Sequence, residues 1–320
     1  MRSALKYMHN YLTVGICLLM LCLTSCGYEK PDDGLIDLRF RAYIQKEKNL
    51  VRAAGYDALG LADVEAFQAS VVVSNGERFN TTSIAWDGSN LSSNMRIEPG
   101  EYWFYGFMPL NNNASFNLAT KTLSIPNIAP MGRSEAMLIK ASNAVITSGE
   151  NTVVLQMDRM LAKVSPYFYV NLEYQSLRDI QIKEVVLRLP SASTQTAIIN
   201  YSSDPYVLSW NSENIHREYV ETFPVATPVN LPTTIADALS IGEVFICPGQ
   251  SVANLEMTVT YDVYDKAGTL MRENATATNT ILVNYNNLER ASNYKLYIQV
   301  MPTYLYKLSD YDESSVLLIK

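Results

Sequence analysis

Few residues in this sequence are of types that do covalent or metal chemistry, and their settings limit what that chemistry can be. Four cysteines occur. Cys26 ends Leu23-Thr24-Ser25-Cys26, in which an apolar and two small residues precede a thiol, the pattern of a lipobox. Signal peptidase II is expected to cut before Cys26, whose sulfur then carries diacylglycerol. Cys17 and Cys22 leave with the signal, so Cys247 is the one free thiol that remains and no intramolecular disulfide can form. Within Phe245-Ile246-Cys247-Pro248-Gly249 it reads as a small hydrophobe at a buried strand end. His216, in Asn214-Ile215-His216-Arg217-Glu218, has no glycine elbow or other nucleophile motif beside it and reads as an exposed loop residue. A zinc site of the usual kind cannot be built from one histidine and one cysteine.

The acidic pairs offer little more. Asp32/Asp33 and Asp310/Asp312 are carboxylate pairs, but glycosidase chemistry depends on a separation in space that sequence does not give. Asp310-Tyr311-Asp312-Glu313 begins like a calcium loop and lacks the glycine such a loop needs for its sharp turn. It reads as a solvated acidic turn. No glycine-rich phosphate loop is present. The expectation is a protein with no catalytic residue, no metal and no cofactor.

The N-terminus sets the compartment. Arg2 and Lys6 precede an apolar run of twelve residues, Leu12 to Leu23. A membrane-spanning helix takes about 20 apolar residues, so this run reads as the core of a signal peptide, residues 1–25. Loss of those residues removes two basic groups and moves the side-chain charge from −7 to −9. Nucleic acid is therefore not an expected partner, since it calls for a clustered positive surface. A charged fraction of 18% alongside 21 tyrosines suits an extracellular β-protein.

Strands must position whatever site exists, because period-two alternation dominates the chain. Leu255, Met257, Val259, Tyr261 and Val263 share one face, and Asp265-Lys266-Ala267-Gly268 then turns the chain into a second strand near Thr269. Val153, Leu155 and Met157 alternate with polar neighbours, as do Tyr294, Leu296, Ile298 and Val300. Shorter runs read as strands at 71–73, 102–108, 136–139, 164–170, 183–189, 197–201 and 244–247. Residues 57–69 and 234–239 could each hold a turn or two of helix. A domain boundary is expected near Leu172–Leu177, where a strand gives way to polar residues. Many short strands between frequent turns indicate β-sandwiches.

Three segments carry a family resemblance. Glu98-Pro99-Gly100-Glu101-Tyr102-Trp103-Phe104-Tyr105-Gly106-Phe107-Met108-Pro109 is a Pro-Gly turn feeding an aromatic strand that ends in proline. Val153 to Val164 holds a strand, the polar break Asp158-Arg159, and Leu161-Ala162-Lys163-Val164. Asn293 to Val300 reads as a closing strand. Together with the lipobox, and by their order and spacing, these segments resemble fimbrillin-like proteins of the Bacteroidales. Asp158 and Arg159 depart from the histidine or threonine frequent in that family's break.

The resemblance implies an all-β chain of two tandem transthyretin-like β-sandwich domains, at 53–172 and 173–320, behind an N-terminal strand and processing segment at 26–52. It implies assembly into a type V pilus or related surface structure. Ile36, Leu38, Phe40, Ala42 and Ile44 alternate with Asp37, Arg39, Arg41 and Tyr43 as a half-buried strand. A charged stretch, Gln45 to Asn49, follows. In the resembled family a trypsin-like protease cuts after a basic residue here and frees the first strand, and the groove takes a strand from the next subunit. Arg52, with Ala53 as the new N-terminus, is the position expected for that cut. Val316, Leu317, Leu318 and Ile319 are the candidate donor strand, or else they complete their own sheet.

The implied partners are other fimbrial subunits, the maturation protease and the outer membrane, through lipid on Cys26, at the cell surface. An uncut outer-membrane anchor is the alternative within the family; Gly27 and the acidic Lys30-Pro31-Asp32-Asp33 fit surface export of a lipoprotein. A monomeric glycan-binding surface lipoprotein is the alternative outside it, with Trp86, Trp103 and Trp210 as candidate platforms.

Overall fold

In the computed structural model the described residues are 34–47, 56–58, 64–109, 113–149, 151–248, 255–281, 288–301, 304–308 and 316–317. They form an all-β protein. The strands are, in order, β1 (Ile36–Gln45), β2 (Tyr56–Ala58), β3 (Gln68–Ser74), β4 (Phe79–Trp86), β5 (Leu91–Ile97), β6 (Gly100–Met108), β7 (Ser115–Asn117) and β8 (Thr122–Ile128). Then come β9 (Met131–Gly132), β10 (Met137–Ile146), β11 (Asn151–Arg159), β12 (Ala162–Val170), β13 (Arg178–Asn200) and β14 (Val207–Pro224). The last are β15 (Leu239–Ser240), β16 (Val244–Ile246), β17 (Leu255–Asp265), β18 (Leu270–Ile281), β19 (Asn293–Met301), β20 (Tyr304–Leu308) and β21 (Val316–Leu317).

The first group of strands closes on itself. Its order is β11-β10-β6-β3-β4-β5-β1, and β1 then pairs back onto β11. Seven strands thus make a closed barrel, and closure leaves its members without a free edge. Every pairing around the ring is antiparallel except β1 on β11, which is parallel. The remaining strands make two sheets. One runs β21-β20-β19-β12-β16-β9 with β15 beside β12; the other runs β18-β17-β13-β8-β7 with β14 beside β13. The two pack face to face around one core, in which Val164, Phe168 and Ile298 of the first meet Ile182, Leu187 and Val259 of the second.

Sheet membership does not change in one step along the chain: β7, β8 and β9 belong to the second group although they precede the barrel strands β10 and β11, and from β12 on every strand belongs to the second group. A four-residue helix, α1 (Leu172–Gln175), follows β12; Asn171 caps it, its Oδ1 accepting from the Glu173 N–H at 2.7 Å. Val64 and Glu65 are helical, within the stretch read as a turn or two of helix, and the Phe67 N–H donates to the Val64 carbonyl; 234–239 hold a turn rather than a helix. The alternation at 255–263 forms β17, with Gly268 at φ 83° in the hairpin turn. The runs at 183–189 and 197–201 belong to a single strand, β13. Pro190 between them lacks an N–H, and the ladder to β14 skips from Leu189 to Ala192 around it, a bulge where two strands had been read.

A third core lies between the barrel wall and the second group of sheets. Along β6, Phe104 faces the barrel interior while Tyr105 and Phe107 face outward against Leu123, Ile125, Ala197 and Ile199. Burial on both faces explains the near-continuous apolar runs of β3, β6 and β10. Polar bonds cross this layer: Tyr201 Oη donates to the Ile139 carbonyl at 2.9 Å, and Tyr206 Oη donates to Asp158 Oδ2 at 2.6 Å while accepting from Arg290. Burial, then the bond to Asp158, holds the Tyr206 hydroxyl far above its ordinary pKa. Tyr206→Phe removes one partner of a nearly buried carboxylate. Its expected cost is about 1.5–3 kcal/mol in urea unfolding, and a shift below a few tenths of that would show the bond to be dispensable.

Candidate functional site

The site is β1 and the groove that holds it. Ile36, Leu38, Phe40 and Ala42 are buried and Ile44 is half-buried, while Asp37, Arg39 and Arg41 face solvent. The inward side chains enter the barrel core with Val71, Val73, Ile84, Leu155 and Met157. Phe40 meets Phe104 edge to face at 6.1 Å and 77°. Burying Ile36, Leu38 and Phe40 is worth roughly 5–9 kcal/mol gross at 1.5–3 kcal/mol per large side chain. That is comparable with the whole stability of an ordinary domain, about 5–15 kcal/mol.

Both backbone edges of β1 are engaged. On one side Leu38 to Ile44 pair in register with Asn151 to Met157 of β11. On the other, Ile36 to Phe40 pair with β5 through an irregularity between Asp37 and Arg39, and Tyr43 to Gln45 pair with β2. Removing β1 would therefore open the barrel and leave the edges of β5 and β11 unpaired.

The end of β1 is fastened by a charged cluster. Arg159 Nε donates to the Gln45 carbonyl at 2.8 Å, and the Arg159 N–H donates to Gln45 Oε1 at 3.2 Å. Glu47 then meets Lys163 Nζ at 3.3 Å and Arg159 at 3.9 Å, and accepts from Asn293 Nδ2 at 3.0 Å. Arg159 also pairs with Glu135, and Lys163 with Glu243 at 2.7 Å. Burial pushes the Glu135 carboxyl up from its ordinary pKa against the pull of Arg159. Burial acts to lower Lys163, but the hydrogen bonds and charges of Glu243 and Glu47 outweigh it and raise the ammonium. The cluster joins the exit of β1 to the barrel through Arg159 and to the second group of sheets through Lys163 and Asn293.

No protein-family model matches this chain, and no curated protein does. Solved structures do match. One described as a "putative cell adhesion protein" of Bacteroides ovatus aligns over 89% of this chain and 99% of its own, with a TM-score of 0.50 and 11% identity. The two chains share a fold. A second protein of the same description, from Bacteroides uniformis, covers 88% of this chain and 98% of its own at 12% identity and a TM-score of 0.47. A fimbrial protein of Bacteroides vulgatus covers 89% and 97% at 9% identity and a TM-score of 0.46.

Within this shared fold the five residues of the expected first strand come together on β1. Cys26, Arg52 and Ala53 lie outside the described residues, as do Leu318 and Ile319. Val316 and Leu317 form β21, which pairs with Leu308 and Lys307 at the edge of its sheet. The three tryptophans form no common platform. Trp86 packs against the barrel core, while Trp103, with Lys121 Nζ 5.7 Å over its ring, and Trp210 pack against the layer between barrel and sheets. His216 is exposed, as expected, but on strand β14 rather than in a loop. Its Nδ1 lies 3.3 Å from Ser193 Oγ, a pair produced by the cross-strand register of β13 and β14. Cys247 follows β16, fully buried, its Sγ 3.3 Å from the Ala129 carbonyl; burial pushes the thiol up to about 12. Buried in this way, Cys247 packs as a small hydrophobe. The charged cluster was not anticipated as a unit. Its only sequence traces are the charged stretch after Ile44 and the unusual Asp158-Arg159.

Proposed function

We propose that the chain is a structural subunit of a cell-surface fimbria, without catalytic activity, that supports adhesion. In this reading it is exported as a lipoprotein through Cys26 and built as two tandem transthyretin-like β-sandwich domains, the two faces of the first joined through β1. A trypsin-like protease cuts after Arg52, β1 leaves, and a strand from the next subunit fills the groove, with Val316 to Ile319 as candidate donor. The observation that carries the reading is the position of β1. It closes a barrel by a parallel pairing to β11 and fills the core with alternate apolar side chains, yet it lies at the N-terminal end of the described chain. A single cut in the connection to β2 would separate it covalently from all that it packs against. The vacated groove offers two unpaired strand edges and apolar pockets at alternate positions, the features that bind an added strand.

The first test is the N-terminus of the protein in material sheared from the cell surface. A start at Ala53 is expected. A start at lipidated Cys26, with no cut form present, would overturn the cleaved-subunit reading and favour an uncut anchor or a monomeric surface lipoprotein. Retention on polysaccharide that is lost on replacing Trp86 or Trp210 would favour the latter.

A further inference from the structure

A protease that cuts after basic residues meets five of them between Leu38 and Ala53: Arg39, Arg41, Lys46, Lys48 and Arg52. They are not equivalent. Arg39 and Arg41 lie within the ladder of β1 to β11, whose pairing ends at Ile44 opposite Met157. Lys46 stands just past that ladder with its side chain half exposed, Nζ 2.9 Å from Asp57 Oδ1. The residues on either side of it are fastened. Gln45 gives its carbonyl to Arg159 Nε at 2.8 Å and its Oε1 to the Arg159 N–H at 3.2 Å, and it pairs with Tyr56 of β2. Glu47 accepts from Lys163 Nζ at 3.3 Å through one oxygen and from Asn293 Nδ2 at 3.0 Å through the other. Ser165 Oγ donates to Asn293 Oδ1 at 3.3 Å, which turns the amide nitrogen toward the acid. The Lys163 and Arg159 side chains are 21% and 17% exposed, so these contacts are shielded more than a surface ion pair.

A trypsin-like enzyme takes the basic side chain into an acidic pocket, and at a folded site cleavage waits for local opening. At Lys46 that opening must break contacts to three elements: Arg159 on β11, Lys163 on β12 and Asn293 on β19. We infer that these three residues form a clamp that guards the Lys46–Glu47 bond, so that a trypsin-like protease cuts only beyond Glu47. They are positioning residues that decide where the maturation cut falls. As a device of maturation the clamp rests on the reading above; as a guard of this bond it does not. Misplaced cuts would spoil the groove. After Arg39 or Arg41, a cut would leave Ala42 and Ile44 seated in it. After Lys46, a cut would leave Glu47 as the new N-terminus, still tied to Lys163 and Asn293 where β1 exits. Lys48 and Arg52 follow the clamp in sequence, and a cut after either sends all of β1 away in one piece.

The test is limited trypsin digestion of the purified full chain, with initial rates at each bond read by mass spectrometry. Lys163→Met with Asn293→Ala removes both partners of the Glu47 carboxylate and leaves the cleaved sequence unchanged. In the native chain the bonds after Lys48 and Arg52 should be cut first and the Lys46–Glu47 bond spared. In the double variant that bond should be cut about tenfold faster, the change made by one hydrogen bond to a charged group. Cleavage after Arg188 in β13 and Arg272 in β18 should keep its native rate. Lys163→Arg, which keeps the charge, should retain most of the protection. A native Lys46 bond cut as fast as its neighbours, or an unchanged rate in the double variant, would overturn the clamp. So would a rise shared equally by Arg188 and Arg272, which would mean general loosening. In cells the double variant should add a chain starting at Glu47 to the one starting at Ala53. A chain never cut in cells would overturn the maturation reading, while the trypsin rates decide the guard on their own.

Discussion

Gly106→Ala is expected to destabilise the protein by more than about 4 kcal/mol, into the range reserved for severe packing or backbone faults. Gly106 lies on β6 with β3 on one side and β10 on the other, in register with Val71 and Ile139. A Cβ built there would sit 2.1 Å from the Ser70 carbonyl oxygen, 2.8 Å from Ile139 Cδ1 and 3.1 Å from Val71 Cα. Two of those three atoms are backbone, so a change of rotamer cannot relieve the contact. β3 must move away from β6, breaking a ladder in the middle of the barrel wall. Glycine within a strand marks such a close approach. The two hydrophobic layers meet at this wall, so a shift of β6 disturbs both the Phe104 side and the Tyr105–Phe107 side. Urea unfolding of purified protein measures the effect. A midpoint shift corresponding to less than about 1 kcal/mol would show that the wall yields more easily than close packing allows.

How much of this was legible in the sequence depends on the distance over which each feature is specified. The alternation of Leu255 to Val263 and the turn at Asp265 to Gly268 are local, and they form the hairpin of β17 and β18 as read. The inward set Ile36, Leu38, Phe40 and Ala42 was equally local. What that strand pairs with was not: Leu38 meets Asn151 in parallel, and no turn signal announces a pairing between segments so far apart. Closure into a barrel was therefore invisible, while all-β class was plain. The runs at 183–189 and 197–201 read as separate strands, and only the ladder to β14, with its bulge between Leu189 and Ala192, shows the chain continuing past Pro190 as one strand, β13. The charged cluster draws on Glu47, Glu135, Arg159, Lys163, Glu243 and Asn293, whose proximity exists only once the barrel and the second group of sheets are assembled. The expected lipidation of Cys26 and the proposed cut after Arg52 rest on the sequence alone, since both residues lie outside the described ones.

Phe40→Ala should separate the stability of β1 from the stability of the whole. Phe40 is 3% exposed and packs edge to face on Phe104. Its truncation is expected to cost about 3–5 kcal/mol in the uncut chain, the usual range for a buried phenylalanine. The loss need not be shared evenly over the structure. The Tyr206–Asp158 bond and the core between the two other sheets do not involve Phe40. If β1 is the element poised to leave, its local opening free energy should fall by most of that amount. Arg39 and Arg41 provide the readout, since both face solvent on β1 but lie in backbone paired to β11. In the native protein trypsin should spare these two bonds, because cleavage needs the strand to open. In F40A they should be cut faster by two orders of magnitude or more, about tenfold per 1.4 kcal/mol of lost local stability. Peptide mapping should find the new cuts in β1 before any in β13 or β17. Cleavage that instead appears in all strands together would mean that β1 opens only with global unfolding, and that its release needs more than a cut in the connection to β2.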